Sequence, residues 1–500
     1  MPLPLRAIKT SLTFASLLCS LPVANVHAQN LLQAALGADA AAVQARLAAG
    51  ADVNQRDVDG STAALYAAHR VDSQMLDILL EAGADPNLAN RYGLAPLHEA
   101  ATTASVQMIA ALLDAGALVD AALPEGETPL MLAARTSGVE AVQLLIDRGA
   151  DVNVVESWQG QTPLMYAAAH DRGAVVAALL DAGADVEAKT PLIDLPERLP
   201  AARFNVEFPP GGMSALLFAA RQGATAALSA LIAGGADVDA RTVEGFSALV
   251  LALHNRHNDA ARLLIEAGAD ASGGALYTAI DARNRVALIG PRTRPTGTTS
   301  ELELLAAMLE RGADVMDRPP IPLPDRDPGF GAIPAGLIDT ALTRAARSAD
   351  VAAMQLLIGA GADPAIVEPS GMTLLLAVTA GPEIPPLTVV EREMPEESDA
   401  IDAIDLLLEF GLDLYAGDRI GATALHMAAK RGFVAVAEHL IAAGADIDAT
   451  DSAGNTPLDY ALGRSPVLFG TPPASPEAAD YLRSIGAREG EATARTTARQ

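Results

Sequence analysis

The chain has 500 residues, half of them hydrophobic but only 3% aromatic, and a formal charge of −28. That much apolar material is enough for a large fold, yet a core so poor in aromatics must be filled by Ala, Leu, Val and Ile, which suits many thin layers better than one thick globule. The acidic balance, with Lys9, Lys189 and Lys430 the only lysines, argues against a nucleic-acid partner, because phosphate binding needs Lys and Arg.

The first element in chain order reads as a secretory leader, residues 1–28. Arg6 and Lys9 give it a positive start, "SLTFASLLCSLPVANV" a short apolar run, and "VHA" the small residues for cleavage before Gln29. The run is short for a membrane span of about 20 residues, so no stable membrane insertion is expected after cleavage. The leader carries two cations and no acid, which leaves −30 on the remainder. It also holds the single cysteine, Cys19, preceded by Leu17 and Leu18 rather than the small residues of a lipidation site. A mature chain without cysteine has no disulfides, no thiolate catalysis and no Cys-based zinc site.

Beyond residue 29 a signature recurs, "GAD" after an apolar run. From Gly50 to Gly183 its glycines step by 33, 33, 33 and 34 residues, and the later steps run 52, 33, 44, 49, 50, 33 and 42. A base period of 33 with residues added to particular units predicts a solenoid of stacked repeats. The unit at residues 125–153 shows the inner grammar. Thr128 caps a short helix, Pro129 fits its first turn, and Leu130, Ala133 and Ala134 mark its buried face. Gly138 is expected to end that helix. Val139, Val142, Leu145 and Ile146 fall at helical spacing on a second one, Gly149 closes it with a left-handed turn, and "ADVN" leads out as an arm. One such unit cannot bury its apolar face alone. About twelve stacked together give a continuous core.

The segments "TPLMLAA", "TPLMYAA", "APLHEAA" and "TALHMAAKRG", each followed by "LL…GAD", resemble ankyrin repeats over nearly all of residues 29–486. The insertions between standard units are similar to those of exported bacterial ankyrin proteins. The resemblance implies an all-α ankyrin-repeat solenoid, a single curved and elongated body whose concave face and arms hold a protein partner. His98 and His426 then occupy a motif slot, and His257 falls in the turn between helices. The pair His254 and His257 lacks a third ligand for a metal site.

Five insertions break the rhythm: 189–211, 286–300, 316–336, 381–398 and 463–476. In the first, "RFNVEF" alternates Phe204, Val206 and Phe208 against Arg203, Asn205 and Glu207, which predicts a strand within an elongated arm or flap. Loops on a rigid scaffold tend to carry binding residues, and Trp, Tyr and Arg are favoured interface anchors. The candidate partner contacts are therefore Trp158, Arg198, Arg203, Phe204, Glu207 and Phe208, with Tyr66, Tyr92 and Tyr166 behind them. The Phe residues have an alternative role, pinning the insertion onto the solenoid. The acidic run 391–398 fits a solvated loop, and residues 487–500 a disordered tail.

No catalytic constellation is present. No Gly-Lys pair exists for a phosphate loop, "HEAAT" at 98–102 lacks a second His, and "GFSAL" at 245–249 fails at its last position. The expectation is a monomeric, non-enzymatic binding protein outside the cytoplasm, with no cofactor and no metal. A chaperone-like or envelope scaffold with many weak clients, and a secreted effector acting on a host protein, stay open as alternatives.

Overall fold

The computed structural model describes residues 30–136, 138–192, 211–284, 295–319, 339–381, 396–464 and 474–490. Among them are 24 helices in twelve pairs. The chain divides into two compact units at Ala121 and Ala122, with three pairs in the first and nine in the second. Within each unit, the first helix of a pair packs on the first helix of the next, and second helices likewise pack on second helices.

The sequence grammar explains each layer. Thr62, Thr128, Thr162, Ser214, Ser247, Thr340 and Thr373 each accept a hydrogen bond from the N–H three residues on, which satisfies a donor that a helix start leaves open. Pro96, Pro129, Pro163 and Pro457 sit in first turns, where a missing N–H costs nothing. Behind them, pairs such as Ala133–Ala134 and Ala167–Ala168 are fully buried, and their small side chains let first helices approach closely. On the second helices the buried stripe follows the helical repeat, as in Ala141, Val142 and Leu145, or Val175, Val176 and Leu179. Each buried Leu contributes about 2 kcal/mol, and truncating Leu145 to Ala would cost about 2–5 kcal/mol.

One expectation needs correcting. The first helix of the 125–153 unit ends at Ala134 with Arg135 as its C-cap, and Gly138 instead caps the N-terminus of the second helix, Val139–Asp147. In several units the short turn between helices uses a left-handed residue two positions ahead of the second helix. Glycine fills that slot at Gly223 and Gly432, but Val71 (φ 57°), Asp171 and Arg256 fill it elsewhere. Gly149 behaves as expected: at φ 91° it lets its own N–H reach the Ile146 carbonyl and the Ala150 N–H reach that of Leu145.

The arms are turns rather than strands. The aspartate of "GAD" folds each arm, since Asp52, Asp85, Asp151, Asp185, Asp237 and Asp446 all accept the N–H two residues further on. The residue at that second position then reaches the next arm. Asn54 accepts the Asp85 N–H at 2.9 Å and Asn87 that of Leu118 at 2.8 Å. In the second unit Asn153 accepts the Asp185 N–H at 2.8 Å and donates to the Gly183 carbonyl at 3.1 Å, while Glu187 and Asp239 accept the N–H of Asp237 and Asp270. Much of the acidic excess is thus spent on backbone turns.

The flap expected at "RFNVEF" lies outside the described residues, as do most of the five insertions. The ends of the first are held together: Thr190 donates to the Met213 carbonyl, and Gly212 to that of Thr190. The far end of the second folds onto the helix Asn258–Glu266, where Asp259 accepts the N–H groups of Thr298 and Thr299. At the C-terminus, residues 487–490 belong to the last layer instead of a tail. Arg488 accepts from Thr456, and the Gly490 N–H reaches Asp459.

Candidate partner-binding surface

Many of the described arms end in a tight turn ahead of a glycine, as at Gly60, Gly126, Gly160, Gly245 and Gly421, and the residue two before that glycine is exposed. In the second unit the best-formed tip is 156–160. Glu156, only 3% exposed, turns its carboxylate inward to accept the N–H groups of Trp158, Gln159 and Gln161. Ser157 is tied to the preceding arm through the Glu125 carbonyl, by its N–H at 2.8 Å and its hydroxyl at 2.7 Å. The buried carboxylate and the cross-arm bonds fix the turn, and Trp158 stands out from it 74% exposed.

The following arms carry exposed apolar side chains that the sequence analysis missed. A methyl placed on Gly160 would collide with the Pro191 ring, so the Trp158 tip abuts the next arm. One placed on Gly212 would meet Val243 Cγ2 at 2.7 Å and Leu192 Cδ2 at 3.9 Å, so both side chains lie close to Gly212. Leu192 is 64% exposed and Val243 55%. Three consecutive arms therefore present Trp158, Leu192 and Val243. The available signal was positional: Val243, like Trp158, stands two residues before its tip glycine.

The other candidates separate. In the first unit Tyr92 is exposed at a tip, with the Arg91 guanidinium 4.8 Å from its ring centre and paired to Asp59 at 2.8 Å. Tyr66 lies on a first helix, where its hydroxyl donates to Asp57. That bond draws the Asp57 carboxyl below its ordinary value and pushes the Tyr66 phenol up to about 12. In the second unit Tyr166 is half-buried and donates to Glu127 at 2.9 Å, while Arg135 stacks over its ring at 5.8 Å. Burial first, and Glu127 second, raise its pKa. Tyr66 and Tyr166 are thus occupied within the fold. Arg198, Arg203, Phe204, Glu207 and Phe208 lie outside the described residues.

The histidines are structural pegs. His98 Nδ1 accepts the Ala95 N–H at 3.1 Å while Nε2 meets the Ala121 carbonyl at 2.8 Å. His426 makes the same pair of contacts with Thr423 and with the Asn455 carbonyl, at 3.0 and 3.2 Å. His257 Nδ1 lies 2.9 Å from the Thr296 hydroxyl. Among the described residues no group of three or more His, Cys, Asp or Glu side chains is placed to hold a metal ion, and no helix is long and apolar enough to cross a membrane.

Comparison with known proteins agrees with this layering. One ankyrin-repeat family model matches residues 31–122, 117–190 and 197–273, and a second ankyrin-repeat model matches 407–461; together they cover more than half of the chain. Protein phosphatase 1 regulatory subunit 27 of Homo sapiens is 39% identical over 62 residues, 12% of this chain, and the match spans 40% of that protein's length. The potassium channel SKOR of Arabidopsis thaliana is 45% identical over 62 residues, spanning 12% of this chain and 8% of the channel. Among solved structures, the ankyrin repeat domain of Bcl-3 aligns with a TM-score of 0.38 at 26% identity, covering 47% of this chain and 98% of that one. The ankyrin repeat domain of human ASB11 aligns with a TM-score of 0.40 at 24% identity, covering 48% and 97%. On the strength of the family match and its own repeated layers, the chain belongs to the ankyrin-repeat family.

Proposed function

We propose that this protein is a non-enzymatic, monomeric scaffold that works outside the cytoplasm, holding a protein partner on its arm tips and the adjoining faces of its first helices. The observation that carries the reading is the contrast at 156–160. A buried carboxylate and three backbone bonds fix a turn whose most prominent product is an exposed tryptophan. Such a preformed aromatic anchor favours binding because little conformational entropy remains to be lost. Repeat layers supply shape and rigid loops rather than reactive groups.

Export rests on the leader at residues 1–28. The first helix, Leu31–Leu36, is capped by Asn30, whose side chain accepts the Gln33 N–H at 2.9 Å. Cleavage before Gln29 would leave that cap in place. The test has two arms. Protein recovered from the exported fraction of a producing cell should begin at Gln29 by mass, and an intact leader on a cytosolic product would refute export. Residues 29–500 should then capture a stoichiometric protein partner by crosslinking. Many substoichiometric clients would favour a chaperone-like role instead, and turnover of a substrate by the purified chain would overturn the non-enzymatic reading.

A further inference from the structure

We infer that Gln29, once the leader is removed, closes into a lactam (pyroglutamate) and leaves the mature chain without a free α-amine. The inference rests on the export reading, because it needs cleavage before Gln29.

The fold begins almost at once after that cut. Gln29 precedes Asn30, the first described residue. Leu31 and Leu32, 1% and 5% exposed, already belong to the core, and the helix Leu31–Leu36 opens the array. Asn30 alone stands between that helix and the new terminus. Its backbone is extended, at φ −74° and ψ 169°, and it stays exposed while its side chain accepts the Gln33 N–H at 2.9 Å. An extended, exposed cap leaves the residue before it room to react with itself.

The charge at this end favours the reactive form. A helix start presents backbone N–H groups that have no partner within the helix, and a cation is disfavoured there. The first turn of Leu31–Leu36 holds no acidic side chain. Nothing in that turn stabilises an ammonium group at the expense of the free amine, and the free amine is the nucleophile.

In the closing step the amine nitrogen attacks the side-chain carbonyl carbon of the same residue, Cδ. The bond from that nitrogen to Cδ forms, the bond from Cδ to the amide nitrogen breaks, and ammonia leaves with the proton that the amine gives up. Nothing is oxidised or reduced, and no co-reactant is consumed. The terminal charge is lost, as in other modifications that block an α-amine. Chain ends are where proteolysis concentrates. An exopeptidase that needs a free amine then has no starting point, so trimming does not reach the Asn30 cap or the buried leucines behind it.

Mass measurement of the exported protein tests this. The chain should begin at Gln29, weigh about 17 Da less than residues 29–500 as written, and release no residue in stepwise N-terminal degradation. Gln29→Ala should keep its full mass and release alanine first. Separately, residues 29–500 freed by a protease that leaves Gln29 in front should lose the same ammonia on standing at neutral pH. A Gln29 that keeps its ammonia and a free amine would overturn the proposal. Maturation at any other residue would also overturn it and leave export standing. An intact leader would refute export instead, and the freed chain would then decide the lactam by itself.

Discussion

Arg344 and Asp281 face each other across consecutive first helices, Nε to Oδ1 at 2.8 Å, with side chains only 9% and 6% exposed. Around them Arg283 pairs with Asp350 at 2.7 Å and Arg347 with Asp339 at 2.5 Å. These layers keep the buried alanines of the others, such as Ala279, Ala345 and Ala346, and add ion pairs to them. Ions so shielded are costly to desolvate, and the pairing mainly offsets that cost. Removing Arg344 deprives the buried Asp281 carboxylate of its 2.8 Å cationic partner. Arg344→Ala should therefore lower unfolding free energy by about 3–5 kcal/mol, whereas the double change Arg344→Met with Asp281→Leu should be neutral or stabilising. Denaturant titration of the two variants checks the ordering, and a double variant weaker than the single one would refute it.

His426 makes the fold sensitive to acid. Burial depresses its pKa below the ordinary histidine value, despite an opposing pull from the Asn455 carbonyl and the charges of Asp451 and Asp418. Nδ1 accepts from both the Thr423 N–H and hydroxyl, so a proton there would face two donors. With a folded pKa below the unfolded one, the unfolded chain binds the proton first. The contribution is complete above about pH 6.5 and is lost as pH falls through the folded value. His426→Asn should flatten the stability profile below about pH 6.5 relative to the parent. Carboxylates such as Asp451 and Glu368 also lose stability in acid, so the difference between the two proteins is the quantity to measure.

Glu156 and Trp158 should separate stability from binding. Glu156→Ala removes a buried carboxylate that holds three N–H groups and should cost about 2–3 kcal/mol. Trp158→Ala touches an exposed side chain and should change stability by less than about 0.5 kcal/mol. Paired thermal melts decide this. Equal losses would mean that the indole braces the fold instead of projecting from it.

Val71 holds a left-handed backbone at φ 57°, a conformation its branched side chain disfavours, while its side chain stays half in solvent. Little packing would be lost on truncation. Val71→Gly should therefore stabilise the protein by about 1 kcal/mol, net of the extra freedom glycine gives the unfolded chain. A lower denaturation midpoint would show that the valine contributes contacts worth more than the strain.

The layers were legible because their determinants are local and repeated. Thr128, Pro129 and Gly149 act within a few residues of themselves, so spacing alone assigns their roles. Gly138 misled because a helix stop and a helix cap look alike in one sequence, and here the glycine caps the second helix. The purpose of the "GAD" aspartate was hidden: its hydrogen bond is local, but nothing in the motif says that the carboxylate folds back on the arm. Asp281 and Arg344 were illegible because they lie 63 residues apart. Their slots gave no warning, since Glu99 carries a charge at the position of Arg344, and Arg135 and Arg221 at that of Asp281. At the surface, Trp158 stood out by rarity, while Leu192 and Val243 are common residues whose exposure only the fold reveals.

The joint between arms has a consequence for how such a chain can change. Asn153 grips its neighbour through a peptide N–H and a peptide carbonyl, and Asn87 does the same. Those atoms are present whatever side chain the neighbour bears. A module duplicated, lost or exchanged would find the same handhold on its new neighbour without any matching substitution, so the array can lengthen or shorten in single steps while its outward-facing residues vary freely.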